Sequence, residues 1–168
     1  TLFELLSDKK YLGAKPGMIA GFHSWDKKMN VHPHIHCLVT GGGLSISGEW
    51  ISVKNGFLLP FAVVRDKFRG KLIAYIKKSL LSGELVLPEG MNKQRLLNLL
   101  NKLGRKKWNV KICEKYSHGN GVLIYLAHYL RGGPIGNSRI EKIQSGKVTC
   151  GVCTSYTISD ENVRQDKI

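Results

Sequence analysis

The sequence predicts an α+β fold in which a largely antiparallel sheet packs against helices. Two strand-like runs lie on either side of a short polar turn, and a third short strand-like segment follows them. Longer segments with helical spacing of apolar residues come later in the chain. The length of 168 residues is that of one domain of ordinary size. The predicted order is helix, three strands, two helices, strand, helix and strand.

The first part of the chain is expected to hold a short helix and a hairpin. Its predicted elements are a helix at 2–10 and strands at 18–25, 35–40 and 49–53. The polar segment 26–30 separates the first two strands and predicts a turn. The three glycines at 41–43 end the second strand, and we expect them to form a loop.

The second part of the chain predicts three helices and further strands. Its predicted elements are helices at 60–82, 92–103 and 120–130, a strand at 108–113, and one or two weak strands in the last thirty residues. Pro60 stands at the expected start of the first of these helices, where proline is favoured. Gly104 stands directly after the second, as is typical of a helix end.

The charge of the chain is strongly positive, with 26 Lys and Arg against 12 Asp and Glu, a net charge of +14. This excess predicts nucleic acid as the partner before a membrane surface, because each neutralised phosphate releases condensed counterions. Any single basic cluster could instead be a solvated helix face. The basic candidates for DNA binding are Lys27, Lys28, Arg105, Lys106, Lys107, Arg131 and Arg139. A membrane span and a signal peptide are not expected, since no apolar run approaches 18 residues.

The four cysteines do not suggest a disulfide framework. Cys37 and Cys113 lie in strand-like runs, where free thiols act as small hydrophobic side chains. Cys150 and Cys153 form a lone CxxC without a second pair at zinc-site spacing, which disfavours structural zinc. A reducing cytoplasm fits this pattern best.

Three of the six histidines fall within HPHIH at 32–36. On a strand, His34 and His36 share one face and could chelate a divalent cation. If the first two strands pair so that the numbers of opposed residues sum to about 57–59, His23 lies across from His34 or His36 on that face. The three imidazoles would then form a metal site. The alternatives are two exposed edge histidines and, for His23, a hydrogen-bonded strand histidine.

The predicted last helix carries Tyr125 and Tyr129 one turn apart on one face. Aromatic residues at this spacing are commonly core residues. Beside a divalent cation in a basic protein, however, a phenol can attack a phosphodiester, and two phenols permit two successive covalent attachments. His128 and Arg131 lie close by in sequence for proton transfer or phosphate contact.

Four segments of the sequence together resemble a known family. They are FHSW at 22–25, HPHIHCLVTGGGL at 32–44, WNVKICEKY at 108–116 and YLAHYLRGGPIGNSRI at 125–140. They are similar to the rolling-circle insertion-sequence transposases with a two-tyrosine motif, in the HUH superfamily of single-strand DNA endonucleases. The resemblance covers about residues 1–143, and the histidine and tyrosine motifs at this separation are highly specific.

The resemblance implies a mechanism and a fold. Tyr125 or Tyr129 would attack a DNA phosphate, giving a 5′-phosphotyrosine and a free 3′-hydroxyl. His34 and His36, completed by His23, would hold Mg²⁺ or Mn²⁺. The implied fold is an HUH-type antiparallel sheet, ferredoxin- or RRM-like, flanked by helices and with the histidines on a central strand. The implied partner is single-stranded DNA of element ends and target, at the nucleoid in a bacterial or archaeal cytoplasm.

The segment after the tyrosine helix also matches the family, and in it we interpret Asn137, Ser138 and Arg139 as DNA or structural contacts. Family members usually carry a zinc-binding region before the point where this chain starts, and they continue past its end. From about residue 149 the sequence departs from the family pattern. We therefore expect a nuclease core at 1–148 and a divergent or truncated tail at 149–168.

Two other functions stay open. One is a transposase remnant that binds single strands through basic and aromatic residues without cutting them. The other is a metallohydrolase in which the histidines activate water. The second is disfavoured because no carboxylate lies near the histidine motif, the closest in sequence being Asp26 and Glu49.

Overall fold

A computed structural model describes residues 1–26, 28, 30–56, 58–113, 115–116, 118–129 and 139–151, with the backbone alone at Asn55, His128, Tyr129 and Cys150. Its elements are α1 (Leu2–Ser7), β1 (Lys15–Trp25), β2 (Val31–Leu44), β3 (Trp50–Ser52), a 3₁₀ turn (Lys54–Gly56), α2 (Phe61–Ser82), α3 (Lys93–Gly104), α4 (Gly119–Tyr129), β4 (Ile140–Gln144) and β5 (Lys147–Cys150). The predicted α+β class is confirmed.

The chain divides into two compact units. The first unit comprises Thr1–Gly17 and Thr40–Lys115, and the second comprises Met18–Val39 and Tyr116–Ile168. The second unit therefore contains the histidine motif and the tyrosine helix, which are more than 80 residues apart in sequence. The expected boundary between 148 and 149 stays a prediction.

The main sheet has the order β1-β2-β3, so β2 is its central strand and carries His34 and His36, as predicted. The turn between β1 and β2 is built on Asp26. The backbone N–H of Asp26 donates to the Asn30 carbonyl at 3.0 Å, and Asp26 Oδ1 accepts from the backbone N–H groups of Lys28 and Asn30 at 2.8 and 2.9 Å. An Asp that binds backbone N–H groups a few residues on is a common way to close a turn. The predicted polar turn is confirmed.

The glycines at 41–43 do not form the expected loop. Strand β2 continues through them and pairs antiparallel with β3, Gly42 opposite Ser52 and Gly43 opposite Ile51. A Cβ on Gly42 would lie 2.5 Å from the Ile51 carbonyl oxygen, and one on Gly43 would lie 2.6 Å from the Lys15 carbonyl oxygen. Glycine is needed here because the neighbouring backbones approach too closely for a side chain.

The segment 108–113 is not a strand, contrary to the prediction. Trp108 Nε1 donates to the Leu103 carbonyl at 3.1 Å, which ties the segment to the end of α3. The Trp108 ring also packs edge-on against Phe68 of α2, with 5.9 Å between ring centroids. Trp108, the first residue of the alternating pattern, thus packs on the helices, and the segment does not pair as a strand.

The free thiols also differ from expectation. Cys37 and Cys113 are free but exposed, so they are not small core residues. Cys37 alternates along β2 with the histidines and therefore lies on the opposite face of the strand. Cys153 lies outside the described residues, as does the side chain of Cys150, so the CxxC interpretation stays a prediction.

The helices of the first unit have clear ends and share an apolar core. Helix α2 ends at Gly83, whose φ of 79° is left-handed, and the Asn92 side chain caps α3 by accepting from the Arg95 N–H at 2.8 Å. The buried apolar side chains are Leu5, Leu6, Ala14, Leu59, Leu80 and Leu100. Among the described residues, no helix is both long and apolar enough to cross a membrane.

An exposed ion pair joins α1 to α2. Glu4 accepts from the ammonium groups of Lys67 and Lys71 at 2.7 and 2.6 Å. The hydrogen bonds from these two lysines lower the Glu4 pKa to about 2. Both lysines are thus partly neutralised by Glu4 and are weaker candidates for a DNA phosphate than the lysines beyond α3.

We predict that Leu80→Ala destabilises the protein by about 2–5 kcal/mol, because the substitution leaves a cavity in the apolar core. Leu80 is only 2% exposed. Urea denaturation monitored by circular dichroism would measure the change. The matched control is Leu81→Ala on the same helix; Leu81 is 77% exposed, and we expect a change within about 0.5 kcal/mol. Equal losses in both variants would contradict this description of the core.

Candidate active site

Three histidines of the β1–β2 hairpin lie together on one face. The ring centroids are 5.4 Å apart for His23 and His34, 4.9 Å for His23 and His36, and 4.8 Å for His34 and His36. One ring nitrogen from each residue lies within 4.8 Å of the others. Since an ion draws imidazole nitrogens to about 2.0–2.1 Å, a small adjustment of the rings would let the three hold one metal ion.

A hydrogen bond orients the His34 ring. Its Nδ1 lies 2.7 Å from the backbone carbonyl oxygen of His32, so Nδ1–H is the donor. The lone pair is then on Nε2, which is left to bind a cation. Binding of the second ring nitrogen to a backbone carbonyl is the usual way in which proteins orient a ligating histidine.

Trp25 supports His23 on β1. The two rings are stacked, with centroids 5.0 Å apart and planes inclined by 12°. This stacking restricts rotation of the imidazole. Trp25 is not among the site residues predicted above, although its position two residues after His23 places both on the same face of a strand.

The surroundings keep His36 uncharged. Burial, as the largest cause, lowers the pKa of His36 to about 4 together with the nearby His34 and His23, because positive rings would repel each other. His36 is therefore neutral at pH 7, which is the form that ligates metals.

Helix α4 brings Tyr125 to the histidines. The Tyr125 and His36 ring centroids are 6.1 Å apart in an edge-to-face arrangement. Tyr116, which precedes the helix, packs against Tyr125 with 6.1 Å between ring centroids. A phenol beside a possible metal site is the arrangement that nucleophilic attack on a phosphodiester needs. Tyr116 is not among the site residues predicted from the sequence.

The other predicted nucleophile is placed only in part, and four of the nine predicted DNA contacts are not placed. The backbone of α4 carries Tyr129 one turn after Tyr125, and the Tyr129 side chain is outside the described set. The predicted contacts that lie outside the described residues are Lys27, Arg131, Asn137 and Ser138.

The described basic candidates differ in what they can offer DNA. Lys28 is an exposed residue of the hairpin turn, and Arg105, Lys106 and Lys107 are exposed just after α3 in the first unit. Arg139 is half-buried, and its Nε donates to the Gly151 carbonyl at 3.0 Å. At least part of the Arg139 side chain therefore holds the β4–β5 hairpin.

Asp26, one of the two carboxylates closest to the histidine motif in sequence, stabilises the turn between β1 and β2. Asp26 accepts hydrogen bonds from the Asn30 side chain and from two backbone N–H groups of the turn. These bonds, the Asn30 side chain first, lower the pKa of Asp26. A carboxylate used in this way is a poor general base for the alternative metallohydrolase.

Comparison with known proteins identifies relatives along nearly the whole chain. A family model described as "Putative transposase" matches residues 17–167. The "Putative transposase y4qJ" of Sinorhizobium fredii (strain NBRC 101917 / NGR234) is 31% identical over 153 residues, which is 88% of this chain and 38% of that protein. The "Transposase for insertion sequence element IS801" of Pseudomonas savastanoi pv. phaseolicola is 26% identical over 157 residues, which is 86% of this chain and 36% of that protein.

This chain therefore spans less than two fifths of the length of either relative. No solved structure matches it. The family match begins at Gly17 and covers the histidine motif, the tyrosine helix and the segment between them. Because the match extends over most of the sequence, the chain belongs to this transposase family.

Proposed function

We propose that this protein is a transposase nuclease that cuts and rejoins single-stranded DNA, with Tyr125 as a nucleophile. The observation that carries the proposal is the position of the Tyr125 ring beside His36, one member of the three-histidine cluster. Membership of a transposase family supports DNA as the substrate. We place its action at the nucleoid of a bacterium or archaeon, where that substrate lies.

The cofactor we propose is Mg²⁺ or Mn²⁺, held by His23, His34 and His36. The donor set fits Mn²⁺ better, because imidazole is a poor ligand for Mg²⁺, which prefers oxygen. When bound, the ion would polarise the scissile phosphate and stabilise the charge that develops on it. The His32 carbonyl and the Trp25 ring would keep His34 and His23 in ligating orientations.

The proposed cleavage is an exchange of one phosphate ester for another. The phenolic oxygen of Tyr125 loses its proton and forms a bond to phosphorus, while the bond from phosphorus to the 3′-oxygen breaks. That oxygen takes up a proton, so the products are a 5′-phosphotyrosine and a free 3′-hydroxyl. Attack by a 3′-hydroxyl on the phosphotyrosine rejoins DNA and releases the phenol. Tyr129, one turn along α4, is the proposed second nucleophile.

The proposed DNA contacts are seven basic residues, which contribute to the net charge of +14, and one amide. They are Lys27, Lys28, Arg105, Lys106, Lys107, Arg131, Asn137 and Arg139. Lys28 and the basic run at 105–107 are exposed and thus accessible to a phosphate backbone. Arg139 is the weakest of the described candidates because its Nε already binds a carbonyl.

We predict that Tyr125→Phe lowers the rate of covalent adduct formation by more than about 10³-fold, the scale expected when a nucleophile is lost. The protein would be incubated with labelled single-stranded DNA and Mn²⁺ and analysed on a denaturing gel. Tyr129→Phe and the double variant rank the two phenols. Tyr75→Phe is the matched control, because Tyr75 is 59% exposed on α2 of the first unit.

Each alternative function predicts a different result in this assay. Cleaved DNA that carries no covalent adduct, and that is still formed by the double tyrosine variant, would identify a metallohydrolase. Retained binding with neither cleavage nor adduct would identify a transposase remnant that only binds DNA.

We predict that His36→Ala lowers Mn²⁺ affinity at least about 10-fold, because it removes one of three ligands. The loss of the free-ion electron paramagnetic resonance signal on titration would measure binding. Mg²⁺, tested by competition, should bind more weakly than Mn²⁺. His118→Ala is the control, since His118 is an exposed histidine outside the cluster. Equal effects of the two substitutions would argue against a metal site at the hairpin.

We predict that replacing Arg105, Lys106 and Lys107 by Ala weakens single-strand binding for all sequences, because these residues neutralise phosphates. The slope of log K against log salt should fall in magnitude by about 0.7 for each phosphate of a single strand that the variant no longer neutralises. Fluorescence anisotropy at several salt concentrations would measure it. The control is Lys67→Ala with Lys71→Ala, since both lysines bind Glu4. An unchanged slope would show that the run at 105–107 is a solvated surface.

A further inference from the structure

We propose that Tyr116 positions the Tyr125 nucleophile, and that Gly121 is the gap in α4 through which Tyr116 reaches it. This inference rests on the proposed function, because it assigns a supporting residue to the same phenol. Tyr116, Gly121 and Tyr125 all belong to the second unit.

The spacing of α4 places the gap directly beside the nucleophile. Gly121 precedes Tyr125 by four residues, so the two lie on the same face of the helix one turn apart. A side chain at 121 would occupy the surface next to the Tyr125 ring. Glycine leaves that surface open.

The Tyr116 ring fills the opening. A Cβ on Gly121 would lie 2.5 Å from Cδ1, 3.2 Å from Cε1 and 3.3 Å from Cγ of Tyr116. Cδ1 of Tyr116 thus lies closer to the helix backbone than a Cβ at 121 would allow, and Cε1 and Cγ would be in tight contact with that Cβ. From this position the Tyr116 ring meets the Tyr125 ring at a centroid distance of 6.1 Å, with planes inclined by 55°.

A second glycine in the same helix shows that this approach is specific. Nothing lies within 4 Å of a Cβ built on Gly119. Glycine is unfavourable inside a helix, so its presence at 121 calls for a packing reason, and the Tyr116 ring supplies one.

The consequence for Tyr125 is a restricted ring. The centroid of its ring lies 6.1 Å from that of His36 and 6.1 Å from that of Tyr116, so both neighbours limit rotation of the side chain. A nucleophile held in place reacts faster than a mobile one, and a displacement of about 1 Å can cost 10²-fold in rate. Tyr116 is 46% exposed, so it is a minor part of any core and its loss should leave the fold intact.

The test compares four variants: Tyr116→Ala, Tyr116→Phe, Gly121→Ala and Gly119→Ala. The first readout is the single-turnover rate of adduct formation at saturating single-stranded DNA with Mn²⁺, together with the Kd for DNA. We expect Tyr116→Ala and Gly121→Ala to slow adduct formation about 10–100-fold without changing Kd. Tyr116→Phe keeps the ring and Gly119→Ala adds a methyl in open space, so both should react like the unmodified protein.

The second readout needs neither DNA nor metal. Aromatic ¹H–¹³C NMR signals of Tyr125, assigned with Tyr125→Phe, report the ring current of a neighbouring ring. We expect the chemical shifts of the Tyr125 ring to change in Tyr116→Ala and Gly121→Ala and to remain the same in Gly119→Ala.

The outcomes separate the two proposals. Absence of an adduct in the unmodified protein would overturn the proposed function and the role of Tyr116 with it, whatever the NMR signals show. A normal adduct whose rate is insensitive to Tyr116→Ala would overturn the positioning role alone. A Tyr116→Phe variant as slow as Tyr116→Ala would also overturn it, because the hydroxyl and not the ring would then be required. Should Gly121→Ala fail to fold, the two Tyr116 variants decide the question.

Discussion

The register of the β1–β2 hairpin is the constraint on which the site depends. Side chains alternate between the faces of a strand, so a slip of one residue would move His23 to the face opposite His34 and His36. The Asp26 side chain holds the turn through three hydrogen bonds, and the Thr40 hydroxyl accepts from the Gly17 N–H at 2.9 Å further along the same pair of strands. Two anchors, one at the turn and one beyond the cluster, therefore hold the imidazoles together.

An aromatic ring lies against a bare glycine backbone at two of the described glycines. At Gly42 the missing Cβ gives room to the β3 backbone and to the Trp50 ring. At Gly121 it gives room to the Tyr116 ring. In both places an aromatic ring packs on bare backbone, which buries apolar surface and limits the freedom of the ring. Gly42 lies in the sheet that carries the histidines, and Gly121 lies in the helix that carries the proposed nucleophile.

Under the proposed function, the positive charge of the chain affects DNA binding and metal binding in opposite directions. A net charge of +14 attracts DNA but opposes the binding of a divalent cation. The three side chains of the cluster are imidazoles, and burial keeps His36 neutral at pH 7. Under the proposed function, a neutral imidazole would leave the full charge of a bound ion for the DNA phosphate, whose own charge would offset it.

The features that could be predicted from the sequence are local ones. Helix ends near residues 83 and 104, the Asp26 turn and the common face of His34 and His36 all follow from residue type and spacing over a few positions. Features that need a distant partner emerged only in the folded chain. Residues 42 and 43 are strand because β3 pairs with them. Residues 108–113 do not form a strand, and Trp108 packs on Phe68 instead. The approach of Tyr125 to His36 joins segments far apart in sequence, and the covering of Gly121 by Tyr116 depends on how the chain enters α4. Spacing alone specifies neither contact, because both depend on where the chain returns in space.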